Sequence, residues 1–323
     1  MILRVISTLL FCRLVVSTIA PDLLTFTMPA LGQTLTFENI LDRTDRRSPD
    51  HKIFYGDHAD QYGELWLPKK VATSPTPIIV LLHGGCWRAD LPGPELVAFL
   101  ADGLRNEGVA VWSITYRRVG TRAQNFSPYP DTFRDVIDGL DKLHELAPKY
   151  ALDLNCVVTT GHSAGGHLAL WLAARPNLPV DSILYKKGPM RIHATVGIAA
   201  LPDLVYARVA SAHACGADTV DKLIDTKSRG DAAYGDTSVT LLLPLNVPQT
   251  LISGLHDAIV TPTHALRYFE RAKEKNETVQ LVTINDAAHF ELIAPWTEPG
   301  REVVRQIIAS AKMEKNFISW KQP

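Results

Sequence analysis

The stretch "CVVTTGHSAGGHLALWLAA", residues 156–174, decides how this chain is read. An apolar, β-branched run stops at Gly161-His162-Ser163-Ala164-Gly165, and a helix-like pattern follows at once. A strand that feeds G-x-S-x-G and then a helix is the sequence form of a nucleophile elbow. The small residues permit a strained turn without side-chain clash, so the Ser163 oxygen projects from the top of a sheet. The helix directs its first N–H groups and its positive end at the same point. The plainer reading is a tight turn that happens to hold a serine, and the strand before it and the helix after it argue for the nucleophile.

A serine hydroxyl needs a base to accept its proton, and the base needs an acid to orient it. Around such an elbow the chain order is Ser, then Asp or Glu, then His. "SGLHDAIVTP" offers Asp257 at the end of a strand, and "NDAAHFELI" offers His289 in the loop after the next strand. Asp203 is a weaker acid candidate, placed after an earlier strand. Asp286, three residues before His289, reads as a turn residue, and His256 as a surface or cleft-lining group. His167 lies one helical turn beyond Ser163 and is expected to pack on the elbow.

Acyl transfer also builds negative charge on a carbonyl oxygen, which fixed N–H donors must meet. "HGGCW", residues 83–87, ends an earlier apolar strand and supplies a glycine loop for this. The expected donors are the N–H groups of Gly84, Gly85 or Cys86, together with that of Ala164. His83, Trp87 and His162 are expected to support this loop or line the pocket. Cys86 has no base placed for a nucleophilic role. No H-E-x-x-H or comparable cluster suggests a metal, and no Rossmann or P-loop glycine fingerprint suggests a nucleotide, so no cofactor is expected.

Outward from the elbow, strand-like and helix-like segments alternate. Apolar runs at 75–85, 108–117, 156–161, 194–201, 248–254 and 277–285 read as buried parallel strands. "KIFYG" and "YGELWLP" read as an antiparallel pair at the sheet edge. In residues 130–150 the apolar positions Phe133, Val136, Ile137, Leu140, Leu143 and Leu146 step by three and four, which predicts one helix with one buried face. Such alternation implies an α/β fold with a mostly parallel central sheet and helices on both faces. Residues 37–315 read as one domain, and 202–246, where the rhythm breaks, as a cap or lid insertion over the sheet top.

The net charge of −1 gives no electrostatic reason for a nucleic acid or an anionic membrane as partner. Residues 1–20 read as a signal peptide or a non-structural leader. A signal peptide would make the protein secreted or periplasmic; otherwise it is cytoplasmic. No other stretch is long and apolar enough to cross a bilayer, so no stable membrane span is expected. Of the four cysteines, Cys12 falls in the leader. The odd remainder, Cys86, Cys156 and Cys215, argues against a disulfide framework. Cys156 reads as a buried thiol.

"HGGCW", "YRRVG" and "GHSAGGHLALWLAA" together resemble the kynurenine formamidase (arylformamidase)-like esterases of the α/β-hydrolase superfamily. The resemblance runs from about Tyr55 to Ile308. It implies an α/β-hydrolase fold, a triad of Ser163, Asp257 and His289, and an oxyanion loop of His83, Gly84, Gly85 and Trp87. It also implies a small-molecule ester or formamide as substrate. A carboxylesterase is the first expectation, an arylformamidase the second, and a non-catalytic binding member of the fold a distant third.

Overall fold

The computed structural model describes residues 34–70, 75–120 and 129–312. The expected leader over 1–20, with Cys12, lies outside them. Ile78, Ile79, Val80, Leu81 and Leu82 have no solvent-accessible surface, as a strand covered on both faces requires. They belong to an eight-stranded sheet formed by the described residues. Its strands are β1 (His51–Phe54), β2 (Tyr62–Trp66), β3 (Thr76–Leu82), β4 (Ala110–Ile114), β5 (Leu152–His162), β6 (Ala194–Ile198), β7 (Gln249–Gly254) and β8 (Val279–Ile284).

The spatial order is β1-β2-β4-β3-β5-β6-β7-β8. β1 and β2 form the antiparallel edge, and every pairing from β4 to β8 is parallel. From β3 the chain first steps one way, to β4. It then jumps back across β3 to β5 and continues the other way. Right-handed crossovers in opposite directions put their helices on opposite faces. Accordingly the helix Ala98–Asn106 packs with the last helix, Glu298–Lys312, while Asp131–Asp141 packs with Ala164–Ala174. This is the α/β-hydrolase fold. The reversal leaves a crevice beyond the carboxyl ends of β3 and β5, where ligands bind in open α/β sheets.

Three details depart from the sequence reading. β5 begins at Leu152, four residues before the apolar run, because Thr76 and Pro77 of β3 pair with Leu152 and Asp153 ahead of a register shift. The single helix expected over 130–150 is two, Asp131–Asp141 and Leu143–Tyr150. The chain tightens where Lys142 O accepts from both Glu145 N and Leu146 N. Phe133, Val136, Ile137, Leu140, Leu143 and Leu146 are nevertheless all buried.

The third departure is a disulfide. Cys86 and Cys215 are bonded, with Cα atoms 5.3 Å apart across 129 residues of chain. Counting cysteines tests parity, whereas pairing is decided by distance. Cys156, buried in β5, stands aside as a thiol that donates to Ala311 O, so two of the three are free to meet. Residues 202–246 form short helices, among them Leu204–Ala210, Ala212–Cys215 and Thr219–Ile224.

Candidate active site

Ser163 sits between β5 and the helix Ala164–Ala174 with φ 56° and ψ −120°, a conformation that L-residues avoid at a cost of about 1–3 kcal/mol. The turn holds because Ser163 N–H donates to Ile198 O of β6 at 2.8 Å and Ser163 O accepts from His167 N. Close packing dictates the glycine two residues on. A Cβ on Gly165 would lie 2.1 Å from Leu82 O of β3, so any larger residue would push the elbow off the sheet.

His289 and Asp257 come from the loops after β8 and β7. His289 Nδ1 lies 2.6 Å from Asp257 Oδ2, and both side chains are buried. Asp257 Oδ1 accepts from Ile259 N and Val260 N, each at 2.8 Å, so the loop's own amides aim the carboxylate. A carboxylate can only accept, so Nδ1 carries the imidazole proton and Nε2 is left as the basic nitrogen. Ser163, His162 and His289 line one cavity of about 140 Å³. No hydrogen bond joins Ser163 Oγ to His289 Nε2 among the described residues, and such bonds often tighten only with substrate present.

Gly85, Cys86 and Trp87 have φ of 93°, 50° and 55°, three consecutive left-handed residues. At Gly85 this is tolerated, and a Cβ there would in addition lie 2.6 Å from Pro92 O. For Cys86 and Trp87 it costs about 1–2 kcal/mol each, so the surroundings must hold the loop. Arg118 Nη1 donates to Arg88 O and Leu91 O at 3.1 and 2.9 Å, and Val119 N donates to Trp87 O at 2.7 Å. This gives the "YRRVG" segment a physical task. The N–H groups of Gly84, Gly85, Cys86 and Ala164 meet no backbone acceptor among the described residues, which leaves them available.

His83 and Trp87 support the loop from behind. The His83 ring stacks on Tyr116 at 4.4 Å, its Nδ1 contacts Gly84 O at 2.8 Å, and Tyr116 Oη donates to His83 O at 2.7 Å. Burial, with the Arg118 guanidinium, lowers His83 to about 3, so it is neutral. Trp87 is buried edge-on to His167, with centroids 5.4 Å apart, and does not line the cavity. His167 donates through Nε2 to Thr237 O, tying the elbow helix to the insertion. His162 is held well below its usual range by burial and by neighbouring His289. Its Nε2–H donates to His289 O at 3.0 Å, since a carbonyl oxygen can only accept.

Asp203 caps the helix Leu204–Ala210 by accepting from Tyr206 N and makes no bond to His289. Asp286 and His256 are exposed. Cys86, in a disulfide, has no thiol to offer. Among the described residues no group of three or more His, Cys, Asp or Glu side chains could hold a metal ion.

The cavity walls are the part that sequence reading missed. Phe37, Leu91, Leu96, Ile259 and Phe290 are apolar and come from four stretches of the chain, joined by Ala214. Their signal in the sequence is ordinary hydrophobicity, which marks core and pocket alike. A larger cavity of about 900 Å³, lined by Arg43, Phe99, Trp296 and Arg301 among others, shares no lining residue with this one.

The chain is similar to known esterases in sequence and in fold. Esterase LipC of Mycobacterium tuberculosis is 25% identical over 281 residues, covering 85% of this chain and 68% of LipC. The crystal structure of esterase B from Lactobacillus rhamnosis, inhibited by a C6-C4 compound, superposes with a TM-score of 0.67 at 22% identity, covering 83% of this chain and 90% of that one. Esterase LipW from Mycobacterium marinum superposes with a TM-score of 0.62 at 18% identity, covering 81% of this chain and 80% of LipW. These structures share the fold. The BD-FAE family model matches residues 64–271, more than half of the chain, a span that contains the glycine loop, the elbow and Asp257. The chain therefore belongs to the BD-FAE family and, by its sheet and its elbow, to the α/β-hydrolase superfamily.

Proposed function

We propose that this protein is a serine carboxylesterase that cleaves small carboxylic esters through an acyl-enzyme. The observation that carries the reading is the 2.6 Å contact of His289 Nδ1 with Asp257 Oδ2, with Ser163 and His289 lining one cavity. Ser163 Oγ attacks the ester carbonyl while His289 Nε2 takes its proton. Asp257 holds the tautomer and stabilises the imidazolium. The N–H of Ala164 and those of Gly85 and Cys86 face the oxyanion, with Gly84 bringing the loop against the elbow. His289 then gives its proton to the leaving alcohol. A water attacks the acyl-enzyme by the same route, releasing the acid and restoring Ser163.

The described relatives are esterases and none of those named here is a formamidase, which favours the ester over the formamide. At about 140 Å³ the cavity is well below the roughly 300–1,000 Å³ of pockets for drug-sized ligands, and its walls are apolar. A short acyl chain fits that space. In this reading residues 37–315 act as one catalytic domain and 202–246 as its cap, to which Ala214 belongs.

Purified protein is expected to hydrolyse 4-nitrophenyl acetate and to be labelled by a fluorophosphonate at Ser163. Ser163→Ala should lower kcat by about 10⁴-fold or more. Full activity in that variant would overturn the mechanism, and faster turnover of N-formylkynurenine than of any ester would overturn the substrate class.

A further inference from the structure

The Cys86–Cys215 bond joins two parts of the site that the chain keeps far apart. Cys86 is in the glycine loop, and Cys215 ends the helix Ala212–Cys215. Cys86 and Ala214, the neighbour of Cys215, both line the cavity. The bond is buried, with Cys86 6% and Cys215 3% exposed. A polar tether runs beside it: Cys215 O accepts from Arg88 Nη1 at 3.2 Å and from Thr219 Oγ1 at 2.6 Å.

The loop needs such a restraint. Cys86 and Trp87 sit in the left-handed region, which persists only where the surroundings over-determine it. Trp87 is fixed by burial and by the Val119 N–H on its carbonyl. Arg118 grips the chain further on, at Arg88 and Leu91. At Cys86 itself the covalent bond to the insertion supplies the restraint.

We propose that Cys215 is a positioning residue: through its disulfide it fixes the Cys86 N–H toward the oxyanion and holds the cap wall at Ala214 over the cavity. The inference rests on the serine-esterase reading above. The enzyme is then fully active only when oxidised. Reduction by a dithiol breaks the sulfur–sulfur bond and gives two protein thiols, while the dithiol becomes a cyclic disulfide. Disulfides form in oxidising compartments, so protein matured in a reducing cytosol is expected to lack the bond and to be the weaker catalyst.

The test is Cys215→Ala in the full chain, with kcat referred to the concentration of Ser163 titrated by a fluorophosphonate. A misplaced oxyanion donor predicts kcat per titrated site lower by about 10-fold or more, with KM for 4-nitrophenyl acetate changed far less. A bond that serves stability alone would lower the melting temperature and leave kcat per site at the parent value, which would overturn the proposal. If the variant does not fold, the parent protein reduced with dithiothreitol and alkylated gives the same readout, checked for fold by circular dichroism. Full kcat in the reduced protein would overturn the proposal, as would free Cys86 and Cys215 thiols in native protein matured under oxidising conditions. Failure of the underlying reading shows separately, as a parent enzyme in which Ser163 cannot be titrated.

Discussion

His162 donates its Nε2–H to the main-chain carbonyl of His289 at 3.0 Å, and the two rings lie 4.3 Å apart between centroids. The residue before Ser163 thus holds the loop that carries His289, across 127 residues of chain. Burial and neighbouring His289 hold His162 well below its usual range. His162→Ala is expected to lower kcat by about 10-fold with a smaller change in KM, because it loosens the loop that carries His289. His162→Gln, which retains a donor, should recover part of the loss. Steady-state kinetics on both variants checks this; an unaltered kcat in the alanine variant would remove His162 from the site.

Asp257 accepts from its own loop through Oδ1 and from His289 through Oδ2. In Asp257→Asn the side-chain amide can donate to Nδ1 and drive the imidazole proton onto Nε2, where the base is needed. A fall in kcat of about 10⁴-fold near neutral pH is expected. A variant within about 10-fold of the parent would show that another acid orients His289.

Leu96 is 3% exposed and lines the cavity that holds Ser163. Leu96→Ala enlarges that cavity, so the ratio of kcat/KM for hexanoate over acetate esters should rise by about 10-fold or more. A stability loss of about 2–5 kcal/mol accompanies it, toward the lower end because the site already borders a void. An unchanged chain-length profile would mean that the acyl group lies elsewhere.

Burial lowers His167 and His264 to about 4 and, with the Arg118 guanidinium, lowers His83 to about 3. In the unfolded chain an imidazole titrates near pH 6.5. Below that pH the unfolded state binds protons that the folded state refuses, so stability falls as pH drops from about 6.5 toward about 4 and is complete above. Each histidine contributes up to about 1.4 kcal/mol per pH unit over that window. Urea midpoints measured from pH 7.5 to 4.5 should decline steadily; a flat profile would contradict the neutral, buried state of these three.

The candidate site was legible in the sequence to the degree that its proposed chemistry is local. Ser163 needs its strand, its turn and its helix within a few residues, and all three leave marks in "TTGHSAGGH". Asp257 and His289 follow because strand ends give loops fixed places along the chain. His83 to Trp87 follow because close backbone approach demands glycine. The buried strands were equally readable, since a strand covered on both faces is a continuous apolar run.

What the sequence could not decide depends on which distant segments meet. Parity set Cys86 and Cys215 apart, and only the tertiary fold brings their Cα atoms to 5.3 Å. Phe37, Leu96 and Ile259 look like core residues until the strand-order reversal at β3 gathers them around Ser163. The bond from His162 to His289 leaves no trace in either residue's neighbourhood. Local backbone chemistry wrote the proposed reacting groups into the sequence; the walls, the tether and the size of the pocket come from long-range packing, which a linear pattern does not encode.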